Sequence, residues 1–285
     1  MIALLGSAIV NLVVLAVVFV PLERAFPARK WQRIVRPKIL VDACFFFGGY
    51  LVTAAIALTL LHLVDGLARG RLPAMAHVSI ASMPVGAQVV IAVMLGDVVV
   101  YWVHRACHAS DFLWRFHAVH HSSEHLDWLA AHREHPLDGV ATQLCMNLPA
   151  IALGVPARWL AGVAVFRGMW AVFVHSNVRL PLGPLRWMFG APELHHWHHA
   201  RASRHNFANL APYLDWVFGT HFTPRGEPGE ERFELGLDET IGESWPALVL
   251  SPFLPRRRSK AQAQGGRVAQ GWNGEHAVTF TSPGP

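Results

Sequence analysis

Residues 97–121 read DVVVYWVHRACHASDFLWRFHAVHH and hold five histidines in two tight groups, His104 with His108, then His117 with His120 and His121. On an α-helix, residues three and four apart share a face, so each group aims several imidazoles at one spot. At 100° per residue, Asp97, Tyr101, His104 and His108 fall in a stripe about 60° wide. A third group, His195, His198 and His199 in ELHHWHH, repeats the spacing of the second. Three such groups read as one metal centre. Neutral imidazole suits iron, zinc, copper and nickel, and one ion takes about four to six ligands, so eight or nine histidines fit two ions better than one. Soluble di-iron bundles use a carboxylate-rich set; a histidine-only shell is the alternative here. A lone histidine is more often a core or surface residue than a ligand, which is the reading for His62, His77, His205, His221 and His276. His125, His132 and His196 stand between the two classes.

The elements that must position these groups are apolar. Of 285 residues 53% are hydrophobic and 15% charged, against about 25% charged in a soluble chain, and the mean hydropathy of +0.31 points to a membrane. The net charge of +5 comes from basic residues beside apolar runs, in Arg24–Lys38 and Arg256–Lys260, as cytoplasmic membrane flanks do. Nucleic acid is therefore not the expected partner. Cys44, Cys107 and Cys145 form no CxxC pair and no disulfide framework, and read as packing residues.

Ile2–Val20 is long enough to cross a hydrocarbon core, and it lacks the basic leader and small-residue cleavage site of a signal peptide. It reads as a retained anchor, and the basic loop after it as cytoplasmic. Ile39–Val64 is the second span, Asp65–Pro84 an outer loop, and Val85–Val103 a third span running back inward, which delivers His104 to the cytoplasmic face. Asp97 lies within that third span, where an ionisable residue signals function by default. Its alignment with His104 and His108 makes it a candidate partner that orients a ligand. Val140–Val155 and Trp159–Val174 are about 16 residues each, or ~24 Å of helix. They read as a hairpin dipping into the bilayer, with two short true spans as the alternative. Either way His175 emerges on the side where His104 lies. Trp245–Leu254 reads as an interfacial piece and Arg256–Pro285 as disordered. The expected fold is an all-α integral membrane protein of about four transmembrane helices, counting the hairpin, with a cytosolic helical cap that carries the di-metal site. Its divisions are 1–84, N-terminal helices and loops; 85–223, the catalytic domain; and 224–285, an interfacial segment and tail.

The run D97xxxYWxHRxxH, with LWRFHAVHHSSEHLDW, REHPLD, the His175-Ser-Asn element, PELHHWHH and LDWVFGT, resembles the fatty acid hydroxylase superfamily, the sterol desaturase-like integral-membrane di-iron oxygenases. The likeness covers about Val90 to Thr223 and includes all three histidine boxes in order. It implies that His104, His108, His117, His120, His121, His195, His198 and His199 bind two iron ions, with His175 a ninth ligand. His135, in the R-x-H-P element, either binds metal or supports the shell. Asp138 stands where the family commonly has Glu, and Asn206-Phe207-Ala208 departs from Asn-Tyr-Gly; neither touches the ligand boxes. The resemblance further implies O2 as co-substrate, a lipid as substrate, and hydroxylation or desaturation of an unactivated C–H bond. No flavin, haem or GxGxxG motif is present, so electrons are expected from a separate donor of cytochrome b5, ferredoxin or reductase type. An acidic donor could dock on Arg29, Lys30 and Arg33. The rival from another class is a histidine-rich metal-binding or transport protein; a transporter places His or Asp inside several spans, whereas these spans are nearly clean. HExxH and GxSxG, the marks of zinc and serine hydrolases, are absent.

Overall fold

A backbone in hydrocarbon must satisfy its N–H and C=O groups within its own segment or in a closed barrel, and each apolar run of this chain forms a helix. The computed structural model describes residues 2–69, 80, 82–187, 191–201, 203–210, 212–223 and 234–255. Their helices in chain order are α1 (Ile2–Ala25), α2 (Ile39–Gly48), α3 (Ala54–Arg69), α4 (Val85–Ala109), α5 (Asp111–His121), α6 (Pro136–Ala152), α7 (Ala157–His175), α8 (Pro192–His198), α9 (Tyr213–Val217) and α10 (Trp245–Leu250). Among the described residues there is no strand; two isolated bridges, Pro27 to Val178 and Ala200 to Leu235, pin loops together.

Among the described residues, three stretches are long and apolar enough to cross a membrane: Leu4–Ala25, Ile39–Leu67 and Val85–Ala109. The short helices α6 and α7 are not among them, although they stand where the hairpin is expected. The three spans follow the sequence reading with shifted ends. The first runs through Pro21 to Ala25 instead of stopping at Val20, because Glu23 is tied into the cap, accepting from Trp128 N at 2.8 Å and Asn177 N at 2.9 Å. The second contains a π-helical turn at Gly49–Thr53 that joins α2 to α3; such turns widen a helix locally. The third does not end before His104 but continues unbroken past His108 to Ala109.

Packing ties the N-terminal spans to the rest. Ala8, Leu15 and Phe19 of α1 meet Phe46 of α2, Leu129 and Val172 of α7 in one cluster. Ala92 of α4, Ala150 of α6 and Val163 of α7 form another, and Phe45 of α2, Val119 of α5 and Leu248 of α10 a third. The basic loop between α1 and α2 is only partly a surface. Arg29 and Arg36 are buried, so of the three proposed donor-docking cations only Lys30 and Arg33 are exposed. Arg36 binds both Asp42 and Asp127, and Arg133 binds Asp42, a buried chain of alternating charge. The expected outer loop and disordered tail fall largely outside the described residues.

Candidate metal centre

Ser110 is the hinge on which the site is built. Its extended backbone ends α4, and its hydroxyl accepts from Leu113 N, capping α5. The chain thereby folds back so that His104 and His108 on α4 face His117 and His121 on α5. These four and His198 place one ring nitrogen each within 4.8 Å of one another. His120, His175, His195 and His199 do the same in a second group. All nine histidines expected as ligands are thus brought together, and the stacked rings of His121 and His199, 4.3 Å apart, mark where the two groups abut.

In five of the nine rings the outer nitrogen is held by the chain itself. Nδ1 donates to a carbonyl in His104 (Phe207, 2.8 Å), His120 (Arg133, 3.0 Å), His175 (Ala171, 2.6 Å) and His198 (His205, 2.8 Å). In His117 it meets the Asp138 carboxylate at 2.8 Å. A carbonyl can only accept, so each of those rings keeps its proton on Nδ1 and turns the Nε2 lone pair inward. The Nε2 atoms of His120 and His175 then face each other at 2.9 Å. Those of His195 and His175 stand at 2.9 Å, His199 and His195 at 3.1 Å, and His198 and His121 at 3.1 Å. Converging lone pairs repel unless a cation lies among them. Ligands at right angles on an ion with bonds of about 2.1 Å are about 3.0 Å apart, which is the observed spacing. The Nε2 atoms of His104, His108 and His117 are buried with no hydrogen-bond partner, an arrangement that is costly without an ion. The residues present fit two metal ions.

Electrostatics agree with the neutral, ligating form. Burial first, then the neighbouring His117, pushes His120 down to about 4. Burial likewise holds His121, His195, His198 and His199 well below the ordinary imidazole range. Metal binding needs deprotonated imidazole.

Two sequence-singled residues lie outside both groups. Asp97 is buried on α4, but its carboxylate accepts from Leu210 N at 3.1 Å and faces Arg167 at 3.7 Å. It braces the loop after α8 against the span. His135 has both ring nitrogens engaged elsewhere, Nδ1 accepting from Leu137 N to cap α6 and Nε2 meeting the Val249 carbonyl at 3.0 Å. It supports the framework. Asp138, singled out only as a departure from Glu, anchors His117, and Cys107 completes a small third cluster beside them. The carbonyl anchors could not be read from side-chain types. One has a visible device: Asn206 takes a left-handed conformation (φ 56°) that asparagine tolerates. Its side chain bonds Leu194 O and Phe222, while Asp215 accepts from Phe207 N and Ala208 N. Together they turn the Phe207 carbonyl onto His104.

Residues 89–220 match the family model for fatty acid hydroxylase. The chain is 29% identical over 219 residues to the ornithine lipid hydroxylase OlsE of Rhizobium tropici, covering 75% of this chain and 64% of the relative. It is 28% identical to alkylglycerol monooxygenase of Danio rerio, over 62% of this chain and 40% of the relative. With methylsterol monooxygenase 1-1 of Arabidopsis thaliana the identity is 32%, over 55% of this chain and 52% of the relative. The chain thus spans less than two thirds of the length of these relatives. No solved structure matches it.

Proposed function

The chain belongs to the fatty acid hydroxylase superfamily, and from that premise we propose that it is a membrane-bound di-iron monooxygenase acting on a lipid. The observation that carries the reading is the convergence of nine imidazoles in two groups, with Nε2 atoms at ligand spacing and five outer nitrogens held in place. When bound, the irons supply reductive activation of O2 at an unactivated C–H bond. One oxygen atom enters the substrate as an alcohol and the other leaves as water, with two electrons and two protons consumed.

The chain's own residues prepare that site. His104, His108, His117, His121 and His198 hold one ion, and His120, His175, His195 and His199 the other. Asp138 and the four carbonyls fix the tautomer and direction of five of the nine rings, so that little reorganisation accompanies binding there. Burial of the imidazoles keeps bulk water from the reacting bond. Electrons come from a separate one-electron donor of cytochrome b5, ferredoxin or reductase type, docking on the cytoplasmic face beside Lys30 and Arg33. The basic loop after α1 supports that side of the membrane, as does the position of every histidine group at span ends or beyond.

The test is elemental analysis with Mössbauer spectroscopy on protein purified from iron-replete cells, followed by lipid turnover under 18O2. The expected result is two irons per chain and one labelled oxygen in a lipid product. One zinc per chain, with no labelled lipid, would overturn the assignment.

A further inference from the structure

A cavity of about 200 Å3 opens beside the five-histidine group. His108 and His121 form part of its wall, and Trp114 packs against both, with ring centroids 4.9 and 5.3 Å away. Five charged side chains belong to the rest of the lining, and they fall into two sets. Arg201 is already held by Glu234 at 2.9 Å and Asp238 at 3.6 Å, and Glu239 is engaged as well. The side chains of Asp111 and Arg204, which also line the cavity, make no hydrogen bond or ion pair among the described residues. An unused anion and an unused cation therefore face one cavity from two elements, α5 and the loop after α8.

The depth of the cavity in the membrane follows from its first wall. Asp111 comes two residues after the end of the span α4, and the next residues, Phe112 and Leu113, are 66% and 36% exposed. Apolar side chains exposed at the end of a span sit where hydrocarbon gives way to headgroups. The mouth is thus level with the polar ends of the surrounding lipids.

We propose that this cavity seats the zwitterionic headgroup of a bilayer lipid, its anionic group on Arg204 and its cationic group on Asp111, presenting headgroup carbons to the five-histidine group. The inference rests on the oxygenase reading for its consequence, since it places the inserted oxygen on the headgroup end of the lipid. The volume favours the same ligand. Sites for drug-sized molecules run from about 300 to 1,000 Å3, so this one takes a headgroup and excludes a sterol nucleus. The acyl chains stay outside, against Phe112 and Leu113.

The experiment uses the full chain in nanodiscs offering three lipids of identical acyl chains: an aminoacyl lipid with free ammonium and carboxylate, phosphatidylglycerol, and diacylglycerol. Retained lipid is measured by mass spectrometry. The aminoacyl lipid should be enriched over the other two, and Arg204→Gln and Asp111→Asn should each cut the enrichment about fivefold, the worth of one charge pair of about 1 kcal/mol. Equal retention of all three lipids, or enrichment that survives both substitutions, overturns the proposal. A free amino acid that binds as tightly as the aminoacyl lipid reassigns the cavity to a soluble ligand, and overturns it too. Fragmentation of the product then locates the oxygen: on the headgroup as inferred, or on the acyl chain, which refutes the presentation. Selective retention without any oxidised lipid supports the headgroup seat and counts against the oxygenase reading alone.

Discussion

Helices α5 and α8 carry the same motif, HxxHH, and deal it in opposite directions. On α5 the pair four apart, His117 and His121, joins the five-histidine group, and His120 crosses to the other. On α8 the pair four apart, His195 and His199, joins the four-histidine group, and it is His198 that crosses. The cause is helix geometry: residues four apart differ by about 40° around the axis, whereas neighbours differ by about 100°. Each helix therefore braces both groups, which makes the nine histidines one unit. The anchors behind the two groups differ. The five-histidine group has a carboxylate, Asp138, behind His117, whereas the anchors seen behind the four-histidine group, at His120 and His175, are backbone carbonyls. A side-chain anchor can be removed by one substitution; a carbonyl can be disturbed only through whatever holds its backbone.

The crossing ligands give the sharpest way to break this comparison. His120→Ala and His198→Ala should each remove about one of two ions per chain and lower turnover by more than about 100-fold, beyond the loss typical of outer partners. Elemental analysis decides it. Loss of both ions in either variant would show that the groups do not fill independently. Next in size is Asp42→Asn, which leaves the buried Arg36 and Arg133 short of a partner and should cost about 3–5 kcal/mol of stability. Because Arg133 offers its carbonyl to His120, thermal unfolding in detergent should show lower stability, and the four-histidine group should lose its ion first. Asp138→Asn should act on the opposite side, weakening metal binding at the five-histidine group alone by about 10–100-fold. Chelator competition measures that, and equal weakening at both groups would erase the distinction between anchors.

Acid has the mildest effect. His120 stays neutral in the fold down to about pH 4, whereas an unfolded histidine takes up a proton near about 6.5. Between those values the unfolded chain binds more protons, so stability is full above about pH 6.5 and falls as pH drops toward 4. Metal retained by the folded protein, measured after dialysis across that window, should hold until about pH 4, because His120 stays neutral there. Loss of metal from still-folded protein near about pH 6.5, where an ordinary histidine takes up its proton, would contradict the shift.

The features legible in the sequence were those with a period. Histidines three and four apart announced shared faces, and long apolar runs announced the three spans. What stayed hidden depended on chain that is distant in sequence. Asp97 fits the histidine stripe by angle, yet it is taken by Leu210 and Arg167, partners at least 70 residues away. His135 lies beside the ligand boxes, yet it caps α6 and meets Val249. The carbonyls of Phe207, Arg133 and Ala171 belong to residues whose side chains say nothing of the task. Gly48-Gly49 marks the π-helical turn only after the fact, because two glycines in an apolar run serve equally well as helix packing.

The order in which the ligands occur along the chain has a consequence for how the protein is made. His104 to His121 are synthesised together, but about seventy residues separate His121 from the box at His195. At about 5–20 residues per second, that gap lasts several seconds. Through that interval the nascent chain presents five imidazoles from two adjoining helices, with neither group complete. Any ion captured then would sit in an open half-site and exchange freely. On the two-ion reading, stable loading waits until α8 arrives, because each group draws at least one histidine from that last box.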